Sequence, residues 1–177
     1  MATLPVALSA LALCTLSGCG PSRDAQFAPS CPRAVILADA ADITRFRPGS
    51  AGHDLTDMVL DGRITGIAGQ CARGDDDALQ TRLKVGIELA RGPAARTKSD
   101  TVPLFVAVTR DKQLLDKQVY QVAAQFPPNT DRLRLTSDDV TLTLPPNSAG
   151  SGARYDIFVG FQITPDELAL NRQRGPR

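Results

Sequence analysis

From residue 78 to 92 the chain reads ALQTRLKVGIELARG, and its apolar and polar positions alternate without a break. Leu79, Thr81, Leu83, Val85, Ile87 and Leu89 fall on one side, and Gln80, Arg82, Lys84, Gly86 and Glu88 on the other. A helix would repeat its apolar residues every three or four positions. A repeat of two is that of a strand with one face in a core. ARYDIFVGFQI, residues 153–163, does the same with Tyr155, Ile157, Val159, Phe161 and Ile163. Weaker runs of this kind cover residues 33–39, 58–72, 101–109, 116–126 and two short stretches within 131–145. In the third of these runs Pro103 predicts that its strand begins there or lies at a sheet edge, because proline cannot donate to a ladder.

Between the runs stand RGDDDA, RGPAARTKSD, RDKQ, FPPNTD and PPNSAGSG, all rich in residues that tolerate tight turns. The chain holds 14 glycines and 13 prolines and no tryptophan, which suits many short connections. Seven or eight strands with turns between them, and no long amphipathic helix, predict an all-β fold. The expected architecture is an antiparallel β-sandwich of immunoglobulin or fibronectin type. Near the end, Thr164-Pro165-Asp166-Glu167 is a helix start: Thr caps, Pro suits the first helical position, and Glu completes a capping box. A short C-terminal helix follows.

Two strands break the one-faced rule. VPLFVAVT and YDIFVGFQI carry apolar residues on both sides, with Phe105 and Phe158 on the side opposite the core. A sandwich strand should turn a polar face to water. Phe105 and Phe158 therefore need cover from Leu168 and Leu170 of the C-terminal helix, or they form a patch for a partner.

Ahead of the folded part, residues 4–16 are almost all Ala, Leu, Val, Ser or Thr and carry no charge. About a dozen apolar residues match a signal-peptide core rather than a bilayer-spanning helix of ~20. Leu16-Ser17-Gly18-Cys19 comes next and resembles the bacterial lipobox, although Met1-Ala2-Thr3 lacks the usual basic residue. The resemblance implies that Cys19 is acylated and becomes the first residue of the mature chain, with Cys14 discarded. Gly20, where an Asp would favour inner-membrane retention, implies the periplasmic face of the outer membrane. Residues 1–18 are then a lipoprotein signal peptide, 19–30 a Pro/Ser/Gly-rich tether, and 31–177 the β-sandwich domain. Cys31-Pro32, DLTD and VGFQITPDELALNR also resemble uncharacterised proteobacterial envelope lipoproteins.

Export by this route leaves Cys31 and Cys71 as an even pair in an oxidising compartment, which predicts a disulfide tying the first strand pair. Closing a loop of about 40 residues stabilises by roughly 4 kcal/mol. A two-Cys metal site is the alternative, but the only histidine, His53, is near neither.

Charge narrows the partners. A net charge of +1, with basic and acidic residues scattered, is not the concentrated basic face that nucleic acid requires. His53 with Asp54 and Asp57 offers half of a metal site or a general base, and Asp75-Asp76-Asp77 offers oxygens to Ca²⁺. Both also read as ordinary solvated loop or hairpin turn, and Asp138-Asp139 as a turn or bulge. No nucleophile elbow or phosphate loop is present in the sequence. The sequence therefore predicts no catalysis and no cofactor. It predicts a membrane-tethered module that binds an envelope protein through sheet edges or the Phe105/Phe158 face. A metal-dependent enzyme around His53, Asp54 and Asp57, and a carrier of an apolar ligand held between the sheets, are the alternatives.

Overall fold

The structure is a computed structural model and describes residues 30–50, 54–146 and 152–175. The signal segment, Cys14, Cys19, the tether to residue 29 and His53 lie outside the described residues.

Alternation becomes two sheets packed face to face. The first sheet has the order β1 (Arg33–Ile36), β9 (Tyr155–Phe161), β5 (Ser99–Arg110), β6 (Gln113–Gln125). The second runs β2 (Asp42–Phe46), β3 (Met58–Arg73), β4 (Leu79–Arg91), β7 (Arg132–Thr136), with β8 (Val140–Leu144) also paired to β4. The described residues form an all-β sandwich of nine strands closed by one α-helix, α1 (Pro165–Arg174). The ninth strand, beyond the expected seven or eight, is β2. Every pair is antiparallel except β1 with β9, which run parallel.

The predicted faces are the observed ones. In β4, Leu79, Thr81, Leu83, Val85, Ile87 and Leu89 are all buried. Tyr155, Ile157, Val159 and Phe161 of β9 meet them across the gap in a single core that also takes in Leu104, Val106, Val122 and Phe126. The Tyr155 hydroxyl, carried inside with its ring, donates to the Pro145 carbonyl at 2.7 Å. Burying so polar an atom without that acceptor would cost free energy.

Pro103 does not start its strand, which begins at Ser99. Its carbonyl accepts from Gln162 N–H just past the end of β9, whose pairing with β5 begins at Leu104. In a strand the N–H and C=O of one residue point the same way. The missing N–H thus faces a place where no ladder partner is due, and the β6 side stays intact.

The disulfide between Cys31 and Cys71 is present, with Cα atoms 5.6 Å apart. It does not tie a strand pair as expected. Cys31 precedes β1 in the first sheet and Cys71 lies in β3 of the second, so the bond staples sheet to sheet.

α1 begins with the expected capping box: Thr164 and Glu167 exchange side-chain and backbone bonds. Buried Asn171 then pins it, donating to the carbonyls of Asp39 and Asp42 at 3.0 and 2.8 Å.

Candidate interaction surfaces

The outer faces of the two sheets differ in kind. On the four-stranded sheet, register aligns Val35, Phe158, Ala107 and Lys117 in one row across all four strands. The next row holds Gly160, Phe105 and Val119. Phe105 is only 8% exposed and Phe158 half-buried. Their cover is not Leu168 and Leu170: the small cluster is Phe105, Ala107 and Ala40, with Phe158 and Ile163 packed on it. Ala40 belongs to a 3-10 turn, Ala38–Ala40, between β1 and β2. A side chain at Gly160 would come within 2.7 Å of the Phe105 ring, so glycine leaves room for that ring to lie down. The Lys117 ammonium sits 4.7 Å from the ring centroid, a cation–π contact that caps it.

On the five-stranded sheet the corresponding row reads Asp42, Arg63, Glu88, Arg134, alternating in sign over β2, β3, β4 and β7. Arg63 Nε bonds Asp42 at 2.9 Å, and Glu88 accepts from Arg134 at 2.8 Å and Arg132 at 3.4 Å. The Arg134 hydrogen bond, then its charge, hold the Glu88 carboxyl below its usual range. Thr44 donates to Asp61 at 2.8 Å, and Arg174 at the end of α1 donates to Thr44 at 3.0 Å. Over this ladder lies a groove of about 690 Å³ lined by Asp61, Arg63, Thr65, Glu88, Arg132 and Arg174, among others.

The carboxylates flanking His53 have structural work. Asp54 caps a short turn by accepting from Thr56 N–H and hydroxyl, which lowers its pKa, and Asp57 pairs with Arg47. Asp75–Asp77 form the β3–β4 turn, with Asp77 on Arg73 at 2.7 Å. Asp138 and Asp139 connect β7 to β8, where Ser137 bonds the Val85 backbone. Among the described residues no three His, Cys, Asp or Glu side chains gather as a metal site would. Between the sheets, Val85, Ile87, Leu89, Leu104, Ile157, Val159 and Phe161 are each 0–1% exposed, so this space is taken by side chains.

Sequence reasoning missed a cluster of exposed apolar residues on β6. β6 has one neighbour, β5, so its other side is an open edge among the described residues. On it Leu114 is 62% exposed, Leu115 42% and Val119 46%. The expected strand began at 116 and left both leucines unassigned between it and the turn RDKQ. A register shift at Val108/Thr109 pairs Val108 with Asp116 and Thr109 with Leu114, so Leu115 is an extra residue. Such a bulge breaks alternation, and alternation was the signal. A Leu-Leu pair directly after RDKQ was the trace available.

Compared with family models, curated proteins and solved structures, the chain finds no match.

Proposed function

We propose that the protein is a lipid-anchored module facing the periplasm that binds an envelope protein and catalyses nothing, with the open edge of β6 as its binding strand. The lipobox-like LSGC at 16–19 and Gly20 support anchoring at the outer membrane. The disulfide suits an oxidising compartment.

One observation carries the binding reading: on this 13-residue edge strand the stretch from Gln118 to Gln125 holds no charge and no proline, and Val119 on it is 46% exposed. Long apolar edges invite another strand, and proteins without a use for one usually shorten, cover or charge it. Register says which backbone groups are on offer. Gln162 N–H bonds the Pro103 carbonyl, so residue 103 faces β9 and residue 104 faces β6. Leu104 lies opposite Tyr120, so Tyr120 bonds inward, and Val119 and Gln121 present their N–H and C=O outward.

Gln121→Pro therefore removes an outward donor and leaves the β5 ladder whole. A photo-crosslinker at Val119 should trap a defined protein in living cells, and Gln121→Pro should abolish that product while the chain remains folded. Unchanged crosslinking in the Pro variant would reject the edge as the binding strand.

A further inference from the structure

Register and chain connectivity gather several features at one end of the sandwich. Ser30, where residues 1–29 join the described chain, accepts a hydrogen bond from Gly152 N–H at 2.6 Å. Arg33 opens β1 opposite Asp156, Asp156 lies opposite Thr109, and Arg110 pairs with both Tyr155 and Gln113. The β5–β6 turn is thus at the end where the tether attaches, and Arg154 holds it there by gripping Asp111. The Cys31–Cys71 bond brings the β3–β4 turn to the same end.

The turn itself is tight. Asp111 and Lys112 both have positive φ, 50° and 69°, the conformation of a two-residue hairpin connection whose twist matches its strands. Leu114 and Leu115 follow one residue later, after Gln113, and the bulge sets them side by side near the tip.

We propose that this tip touches the bilayer: Leu114 and Leu115 enter the interfacial layer of the phospholipid membrane to which the chain is tethered. The inference rests on the anchored reading, which supplies the membrane. Two leucines bind a free membrane weakly. A tether of ten residues, 20–29, reaches at most ~35 Å and makes the contact intramolecular, at an effective concentration near millimolar. Weak apolar contact then suffices to hold the domain on its end. Charge contributes little, because Arg33–Asp156, Arg73–Asp77 and Arg154–Asp111 are paired, and Asp75 and Asp76 offset Arg110 and Lys112. Contact should therefore not require anionic lipid. It would stand the sandwich upright, with β6 running away from the surface and its edge open to a partner.

The test uses the acylated chain, whose mature form begins at Cys19, in vesicles of phosphatidylethanolamine and a minority of phosphatidylglycerol. An environment-sensitive fluorophore is placed at Leu114→Cys or, as control at the far end, at Lys98→Cys. Emission at 114 should shift to the blue and lose intensity to doxyl-labelled lipid, with neither change at 98. The same sample is assayed for palmitate on Cys19. A solvent-exposed probe at 114 on a palmitoylated chain overturns the inference and leaves the anchor standing. A buried probe on a chain without palmitate supports the contact and rejects the anchor. Protection of 114 in cells but not on protein-free vesicles overturns the bilayer as occupant in favour of a protein.

Discussion

Two cross-strand rows, one on each outer face, show two ways of finishing a sandwich. Asp42–Arg63–Glu88–Arg134 alternates in charge, so each side chain finds its partner on the neighbouring strand. Val35–Phe158–Ala107–Lys117 cannot do this. With Phe105 beside it, it needs a lid, which the chain supplies from Ala40 and Ile163. The charged face closes by pairing within the sheet. The apolar face closes only by recruiting segments outside it. It therefore depends on tertiary docking, and where the lid stops, at Val119 and Leu114, apolar surface stays exposed.

The largest expected effect comes from uncoupling the sheets that carry these rows. Replacing both Cys31 and Cys71 by alanine should cost roughly 4 kcal/mol in denaturant unfolding, the chain-entropy value for a loop of this length. A loss well under about 1 kcal/mol would mean that packing alone fixes how the sheets sit.

Phe105→Ala comes next, at about 3 kcal/mol, because a ring 92% removed from water leaves a cavity under Ala40 and Lys117. If its unfolding free energy matches that of the native chain, the apolar row is not held by its lid and the contrast collapses.

Glu88→Gln should have the smallest effect. Its carboxyl is lowered in pKa by Arg134, so the native state favours the ionised form. That contribution is present above its usual value of 4.5 and is lost as pH falls through the lowered value. The variant should unfold at nearly the native temperature at neutral pH and lose less on acidification. A thermal-melt series over the acid range checks both limbs, and an unchanged acid limb would show the ladder to be electrostatically idle.

How much of this was legible follows from what sequence periodicity reports. The core face of β4 was readable to the residue, and that of β9 from Tyr155 to Phe161, because each has seven or more positions to show it; Ile163, expected on the same face, falls beyond the end of β9. The capping box of α1 was readable because it is local. β2 was not: in DITRF the residues that look like surface, Asp42 and Thr44, are buried, and Arg63 and Asp61 on β3 make that burial tolerable. Partners 17 and 21 residues away leave no mark on a short window. The open edge of β6 was half legible, since the bulge at Leu115 hid two of its three exposed apolar residues.

The sequence by itself determined the strand faces, the turns and the helix start, each of which depends on a period or a dihedral preference. The pairing of Cys31 with Cys71 was reached through the lipobox resemblance, which sets Cys14 and Cys19 aside, and that disulfide is present. Tertiary structure alone decided that the disulfide joins sheets rather than strands, that Ala40 and not α1 lies over Phe105, and that Leu114 is left uncovered by the rest of the fold at the end where residues 1–29 join it. Alternation states which side of a strand is apolar. What lies across from that side depends on strand order and register, which are settled only when distant segments meet.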